Sequence, residues 1–183
     1  MDAPAHHVAL AHTAGSGAPV VWLHVGDKPA AVSLLARHFR VLGFTIGHTT
    51  SIQDDAVANA IGPHASEPVG LIADGTSAHA ALQFAAARPD LVRALVLIAP
   101  AVPDKVPGEF KRPVMALFGT RDAPAHIGRS MREVISECHV TFVYDTDQEM
   151  ADQRPEAVAA ILREFLTAGD RFLVTSKSSK IYP

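Results

Sequence analysis

Residues 69–100 read VGLIADGTSAHAALQFAAARPDLVRALVLIAP, and they give the clearest indication of the fold class. An apolar run ends at Asp74, a segment with apolar residues at helical spacing follows, and a second apolar run occupies residues 94–100. Runs of nearly continuous apolarity are typical of strands buried on both faces of a parallel sheet. The stretch therefore predicts two parallel strands connected by a helix.

The same alternation of strand and helix continues along the rest of the chain. Strands are predicted at residues 19–25, 40–46, 68–74, 94–100, 113–119 and 139–145. Helices are predicted at residues 30–39, 52–61, 77–88, 127–136 and 155–166, where apolar residues recur at spacings of three and four. An extra strand at residues 7–13 and a hairpin turn at 14–17 precede them. The order predicts an α/β protein with a doubly wound, mostly parallel sheet.

The composition of the 183 residues is that of a globular protein, with 48% hydrophobic and 19% charged residues. A formal net charge of −3 offers no basic surface, so we expect no nucleic acid and no anionic membrane as partners. No run approaches the roughly 18 apolar residues that cross a bilayer, and the opening MDAPAHH lacks the apolar core of a signal peptide. We predict one cytoplasmic domain over residues 1–169 and a tail over 170–183.

Few residues in the sequence have the character of a metal or cofactor site. The single cysteine, Cys138, cannot form an intrachain disulfide, and we interpret it as a small packing residue. His6 and His7 are adjacent and would point to opposite faces of a strand. No Cys or His group has zinc-site spacing, and no glycine-rich phosphate loop opens a helix. The sequence therefore predicts no metal and no cofactor.

Four segments, in this order, resemble the α/β-hydrolase superfamily. Residues 15–24, GSGAPVVWLH, resemble the strand that leads to the oxyanion loop, and residues 69–100 resemble the nucleophile strand, elbow, helix and next strand. Residues 113–122, PVMALFGTRD, are similar to the strand that ends at the triad acid, and residues 155–166, PEAVAAILREFL, to the closing helix. The likeness covers residues 7–167 and implies the α/β-hydrolase fold. It does not by itself imply an activity, since one fold carries many.

The elbow of this family holds its nucleophile between small residues on a tight turn. Here the same frame reads Ala73-Asp74-Gly75-Thr76-Ser77, which puts Gly75 at the nucleophile position. The nucleophile backbone of the family has a sparsely allowed conformation, which costs a residue with a side chain roughly 1–3 kcal/mol. Glycine adopts it with little strain. We interpret the frame as a turn that was kept after its serine was lost.

The base of the family follows the last strand, in a loop that here reads TDQEMADQR at residues 146–154 and contains no histidine. Alignment back from Pro155 places Gln148 at the base position, where an amide cannot take a proton. Asp122 follows Gly119-Thr-Arg at the acid position. Two interpretations of Asp122 stay open: it accepts a hydrogen bond from the Gln148 amide, or it caps a helix that begins near Ala125.

The oxyanion loop also departs from the His-Gly start that is usual in the family. It reads His24-Val25-Gly26-Asp27, in which Val25 suits an unusual turn poorly and Asp27 places negative charge near a developing oxyanion. The family's lid is generally inserted after the strand at residues 94–100. Residues 101–111 are too few, and too rich in proline, to form a helical lid. We therefore expect a lidless protein with an open pocket.

Two hypotheses about function follow. The leading one is a non-catalytic α/β-hydrolase-fold protein, or pseudoenzyme, whose pocket binds a small molecule or whose surface binds a protein. The alternative is an esterase-like hydrolase with a displaced nucleophile at Ser77, or with Asp74 as nucleophile or base. The residues expected at the pocket are His24, Val25, Gly26, Asp74, Thr76 and Ser77, and the histidines considered as remote bases are His24, His79 and His126. The sequence leaves open whether the protein forms a homo-oligomer.

Overall fold

The structure, a computed structural model, describes residues 8–46, 54–64, 66–103, 111–135 and 138–172. Within this part of the chain one sheet has the strand order β1-β3-β2-β4-β5-β6-β7. Neighbouring strands run parallel, except that β1 is antiparallel to β3. The mostly parallel sheet confirms the predicted fold class. The strands are β1 (Val8–Ala14), β2 (Pro19–His24), β3 (Arg40–Ile46), β4 (Val69–Asp74), β5 (Val92–Ile98), β6 (Val114–Gly119) and β7 (Cys138–Val143).

The helices of the described residues are α1 (Ala31–Leu35), α2 (Asp54–Ile61), α3 (Ser77–Ala87), α4 (Ile127–Val134), α5 (Met150–Gln153) and α6 (Pro155–Ala168). Two differ from the prediction. The helix expected at residues 30–39 is shorter, because the N–H groups of Arg37 and His38 bond to carbonyls three residues back and tighten the chain into the turn before β3. The short helix α5 lies in a segment that was expected to be a loop.

Strand β1 corrects the prediction of a hairpin between the first two strands. β1 does not pair with β2; it lies on the outer edge of β3, with Val8 opposite Ile46. The reason is the crossover β2–α1–β3, which returns the chain parallel to β2 and places β3 beside it. Only the far edge of β3 is then free for β1. The pairing shifts register between Leu10 and His12, as at a β-bulge.

Both faces of the sheet are covered by helices, which explains the continuous apolarity of the strands. Every residue of β2 is buried. One face packs against α2, α3 and α4, and the other against α1, α5 and α6. Large, fully buried side chains of the two layers are Leu23, Leu71, Phe84 and Leu95 on the first face, and Trp22, Ile72, Leu35 and Phe165 on the second.

The connection between β5 and β6, residues 99–113, is too short to hold a cap domain. Cys138 is buried at the start of β7, as expected for a packing residue, and burial raises the pKa of its thiol to about 12. The tail residues 173–183 and the pair His6 and His7 lie outside the described residues. Among the helices that are described, none combines the length and the apolarity needed to cross a membrane.

Gly119, at the end of β6, lies close to the main chain of the loop that follows β7. A Cβ at residue 119 would lie closer than 3.0 Å to the carbonyl of Thr146 and the Cα of Asp147. We expect Gly119→Ala to lower the free energy of unfolding by about 1–3 kcal/mol, because main chain must shift to admit the methyl group. The matched control is Gly62→Ala, where nothing lies within 4 Å. Urea denaturation measures both; equal effects would contradict the close approach.

Candidate functional site

A cavity of about 310 Å³ lies at the carboxyl ends of β2, β4 and β5. The chain leaves β2 toward β3 on one side and leaves β4 toward β5 on the other, so the cavity sits where the connections diverge. Doubly wound sheets bind their ligands at this kind of position. The lining residues are Val25, Asp27, Pro29, Asp74, Gly75, Thr76, Ile98, Gln148, Glu149, Ala151 and Asp152.

Gly75 forms the apex of the turn between β4 and α3. Its φ angle is +47°, in the left-handed region that side chains disfavour. The N–H of Gly75 donates to the carbonyl of Ile98 at 2.9 Å, which ties the turn to the end of β5. Apart from the two chain neighbours of Gly75, no atom of the described residues lies within 4 Å of where a Cβ on residue 75 would be. The turn therefore presents open space to the cavity at the point where a side chain would project.

Asp74 is the last residue of β4 and lines the cavity. The indole Nε1 of Trp22 donates to its Oδ2 at 3.3 Å. Burial raises the pKa of the Asp74 carboxyl to about 6, and the nearby negative charge of Asp152 adds to the rise. The hydrogen bonds from Trp22 and from neighbouring groups limit it. Asp74 therefore changes its charge close to neutral pH.

Ser77 occupies the first turn of α3 and is 3% exposed. Its Oγ lies 2.6 Å from the carbonyl oxygen of Asp74 and 3.0 Å from that of Leu23, and the hydroxyl donates to them. The side chain thus joins the ends of β4 and β2 to the start of α3. Ser77 does not line the cavity, whereas its neighbour Thr76 is exposed and does.

Gln148 lies between the turn at Gly75 and Asp122. It lines the cavity of Gly75 and also a second cavity of about 150 Å³ that Asp122 lines. The main-chain N–H of Gln148 donates to Asp122 Oδ2 at 3.1 Å, so the bond expected from the side-chain amide comes from the backbone. The other interpretation, a helix cap, is wrong because α4 begins at Ile127 and no side chain caps it.

A hydrogen-bond network holds the loop that carries Gln148. Asp147 Oδ1 accepts from the N–H of Glu149 at 2.9 Å and from Gln153 Nε2 at 2.7 Å. Arg121 donates to Asp147 Oδ2 at 3.0 Å and to Gln153 Oε1 at 2.9 Å. The loop is thereby fixed to the turn that follows β6.

The predicted oxyanion loop forms one wall of the cavity through Val25, Asp27 and Pro29. The unusual backbone conformation falls on Gly26, with φ +83°, and not on Val25, so the poor fit expected of Val25 does not arise. The N–H of Ala30, just after the loop, donates to Asp152 Oδ1 at 2.7 Å. This bond joins the wall after β2 to the wall before α6.

The three histidines considered as bases do not line the cavity. His24 is buried behind the wall, with its ring 5.4 Å from that of His12. His79 is exposed on α3 and hydrogen-bonded to Gln83 at 2.9 Å. His126 is exposed at the start of α4. Across the described ranges, no group of three or more His, Cys, Asp or Glu residues is placed to hold a metal ion.

Sequence reasoning did not anticipate much of the opposite wall. Glu149, Ala151 and Asp152 line the cavity because α5 begins there, and a four-residue helix leaves almost no periodic signal. Ile98, at the end of β5, faces the cavity beside the turn at Gly75. In the sequence, only the predicted carboxyl end of a parallel strand indicates that a residue such as Ile98 lines the cavity.

Several solved structures resemble this one. An α/β-hydrolase enzyme, MGS-MChE2, from a sediment metagenome of the Mar Chica lagoon in Morocco matches with a TM-score of 0.72 and 13% identity, covering 92% of this chain and 97% of the other. A thermophilic esterase from Thermogutta terrifontis matches with a TM-score of 0.70 and 16% identity, covering 88% and 93%. A Bacillus megaterium epoxide hydrolase matches with a TM-score of 0.69 and 11% identity, covering 88% and 96%.

The sequence itself matches no protein-family model and no curated protein. The structural likeness is therefore a likeness of architecture at low sequence identity, and it concerns the fold rather than the reaction. The mostly parallel, seven-stranded sheet with helices on both faces agrees with it. The chain has the α/β-hydrolase fold.

Proposed function

We propose that this protein is a non-catalytic member of the α/β-hydrolase fold whose cavity binds a small molecule. One observation carries the proposal: Gly75 forms the apex of the turn after β4, faces the cavity, and has no side chain. A triad hydrolase needs a nucleophilic oxygen at this apex. Without one, the cavity retains a shape for binding but lacks a group that can attack a carbonyl carbon.

The other side of the cavity supports the same proposal. Gln148, which the sequence alignment matches to the base position, lines the cavity, and an amide has no useful proton affinity at neutral pH. Loss of either nucleophile or base lowers the turnover of a serine protease by up to about 10⁶-fold. With both groups missing, residual catalysis would come only from binding and from the oxyanion site.

Ser77 is a poor substitute for the missing nucleophile. Its hydroxyl is buried and donates to main-chain carbonyls, and no histidine contacts it through a described hydrogen bond. A nucleophilic serine must instead face the substrate and give its proton to a base. The contacts of Ser77 favour a structural role, holding α3 against the ends of β2 and β4.

The charge of the wall indicates which ligands the cavity accepts. Four carboxyl groups line it, from Asp27, Asp74, Glu149 and Asp152, and no Lys, Arg or His is among the lining residues that the structure describes. An anionic ligand would be repelled, as would the oxyanion of an ester-hydrolysis intermediate. We infer a neutral or cationic ligand.

Reaction with a serine-directed fluorophosphonate tests the loss of catalysis directly. We expect no labelling and no burst with an activated ester, because the cavity holds no activated oxygen nucleophile. An intact serine hydrolase in the same reaction is the positive control. Stoichiometric labelling of Ser77, abolished in Ser77→Ala, would instead establish the displaced-nucleophile hydrolase.

A gain-of-function pair tests whether the cavity retains the arrangement of an active site. We expect the double variant Gly75→Ser/Gln148→His to be labelled by the fluorophosphonate at residue 75, and each single variant to be labelled far more slowly. The space around residue 75 admits the side chain, at a backbone cost of roughly 1–3 kcal/mol. The control is Gly75→Ala/Gln148→His. A folded double variant that stays unlabelled would show that residue 148 does not face residue 75.

A matched ligand series tests the charge preference. At about pH 8, with Asp74 ionised, we expect an alkylamine and the alcohol of equal chain length to raise Tm, and the matching carboxylate not to. A ligand at 100 times its Kd stabilises by about 2.7 kcal/mol. Below about pH 6 the advantage of the amine should shrink, because Asp74 becomes protonated.

The control for the ligand series is Thr76→Trp, which places a large side chain at the cavity wall and should remove the shifts. Thr76 is exposed, so the substitution does not disturb the core. A Tm shift from the carboxylate, or shifts that persist in Thr76→Trp, would contradict binding in this cavity.

A further inference from the structure

Two histidines are packed against each other on the face of the sheet that α1 covers, behind the cavity wall. His24 ends β2, and His12 lies on the edge strand β1. Their ring centroids are 5.4 Å apart, with an angle of 38° between the planes. The His12 ring lies over Gly43 of β3, where a Cβ would overlap it. The absence of a side chain at residue 43 makes the room for this imidazole.

The His24 imidazole is buried and the His12 imidazole is half-buried, and both have ring nitrogens without hydrogen-bond partners among the described residues. His24 is 1% exposed, and within the described ranges neither of its ring nitrogens has a partner; nor does Nε2 of His12. The main chain of Gly26 is near His24 but outside hydrogen-bond geometry. An imidazolium at His24 would have two buried N–H donors and no acceptor, and one at His12 would have one such donor, which is costly. The packing therefore favours the neutral form of both rings.

The charges that face the pair act in opposite directions. Lys28, in the loop after β2, faces His12 and disfavours its protonation, while Asp27 in the same loop favours protonation of His24. β3 contributes the uncharged Gly43. Burial is the largest effect at both rings, and it lowers the pKa of each histidine below 6.5. Protonation of both rings would also bring two positive charges together.

We propose that the His12–His24 pair is a proton-sensitive latch: in acid, protonation separates the rings and loosens both strand β1 and the loop that forms one wall of the cavity. β1 is the part that yields, because it is an edge strand that pairs with β3 alone, with α2 as a further contact, and its pairing is already interrupted by a bulge. His24 directly precedes the wall residues Val25 and Asp27, so a movement at this ring displaces the wall.

The direction of the pH effect follows from linkage. Because the folded-state pKa of each ring lies below 6.5, the unfolded chain binds more protons below that pH. The stabilising effect of the neutral pair is complete above about pH 6.5 and is lost as the pH falls through the interval down to the folded-state pKa. Asp74 acts oppositely: its raised pKa makes the folded protein gain stability as the pH falls below about 6.

The test compares wild type with His12→Phe, which keeps an aromatic ring over Gly43 but cannot be protonated. Urea denaturation at about pH 7.5 and pH 5 should show the wild type losing stability in acid relative to the variant. For each unit by which folding lowers the pKa of a ring, the folding equilibrium constant should fall by up to about tenfold in acid. The contribution of Asp74 is common to both proteins and cancels. His126→Gln, at an exposed histidine, is the control and should follow the wild type.

Two measurements on the wild type keep the test independent of how the variant folds. In NMR titrations, the rings of His12 and His24 should titrate below 6.5. Amides of residues 8–14 should exchange faster at about pH 5 than at pH 7.5, after correction for intrinsic chemistry, while those of β5 stay protected. Parallel stability profiles of wild type and His12→Phe, or both rings titrating at 6.5 or above, would overturn the latch.

Release of a ligand by the loosened wall rests on the proposed binding function, whereas the stability and exchange measurements do not. If the ligand series gives no Tm shift but His12→Phe removes the acid loss, the latch stands and the binding proposal fails. If ligands bind and the two stability profiles are parallel, the reverse holds.

Discussion

Strands β2 and β4 lie side by side at the centre of the sheet, and their pairing positions every part of the site. Trp22 of β2 is opposite Ile72 of β4, and both are fully buried. From this pair the chain leaves in opposite directions, which opens a crevice at the carboxyl ends of the strands. Ser77 strengthens the junction, since its hydroxyl donates to the carbonyls that end both strands. The cavity walls are consequences of this arrangement.

The polar groups around the crevice hold its walls together, and we propose that they also bind a ligand. Trp22 orients the Asp74 carboxyl, and the Ala30 N–H fixes Asp152 on the opposite wall. Burial and mutual repulsion between these carboxyl groups keep Asp74 close to its titration point. A cavity lined by carboxyl groups is suited to a cationic or neutral ligand. It is poorly suited to stabilise an oxyanion, which is the central requirement of ester hydrolysis.

Two histidines outside the crevice, His12 and His24, affect stability rather than binding. His12 and His24 fill a place where apolar side chains would be easier to accommodate, yet within the described residues neither nitrogen of His24, nor Nε2 of His12, has a hydrogen-bond partner. An uncompensated buried group of this kind makes stability depend on pH. It also concentrates that dependence at the edge of the sheet, where only one neighbouring strand resists opening.

Local patterns in the chain were sufficient for the order of the strands and helices apart from α5, and for the turn at Gly75, because hydrophobic period, glycine turns and strand ends are properties of neighbouring residues. The triad positions assigned to Gly75, Asp122 and Gln148 stay predictions. Local patterns could not predict four features of the structure. These are the position of β1 beside β3, the main-chain hydrogen bond from Gln148 to Asp122, the buried position of Ser77 and the contact of His12 with His24. Each depends on residues far apart in the chain, and their approach is set by how the crossover and the sheet bring distant segments together.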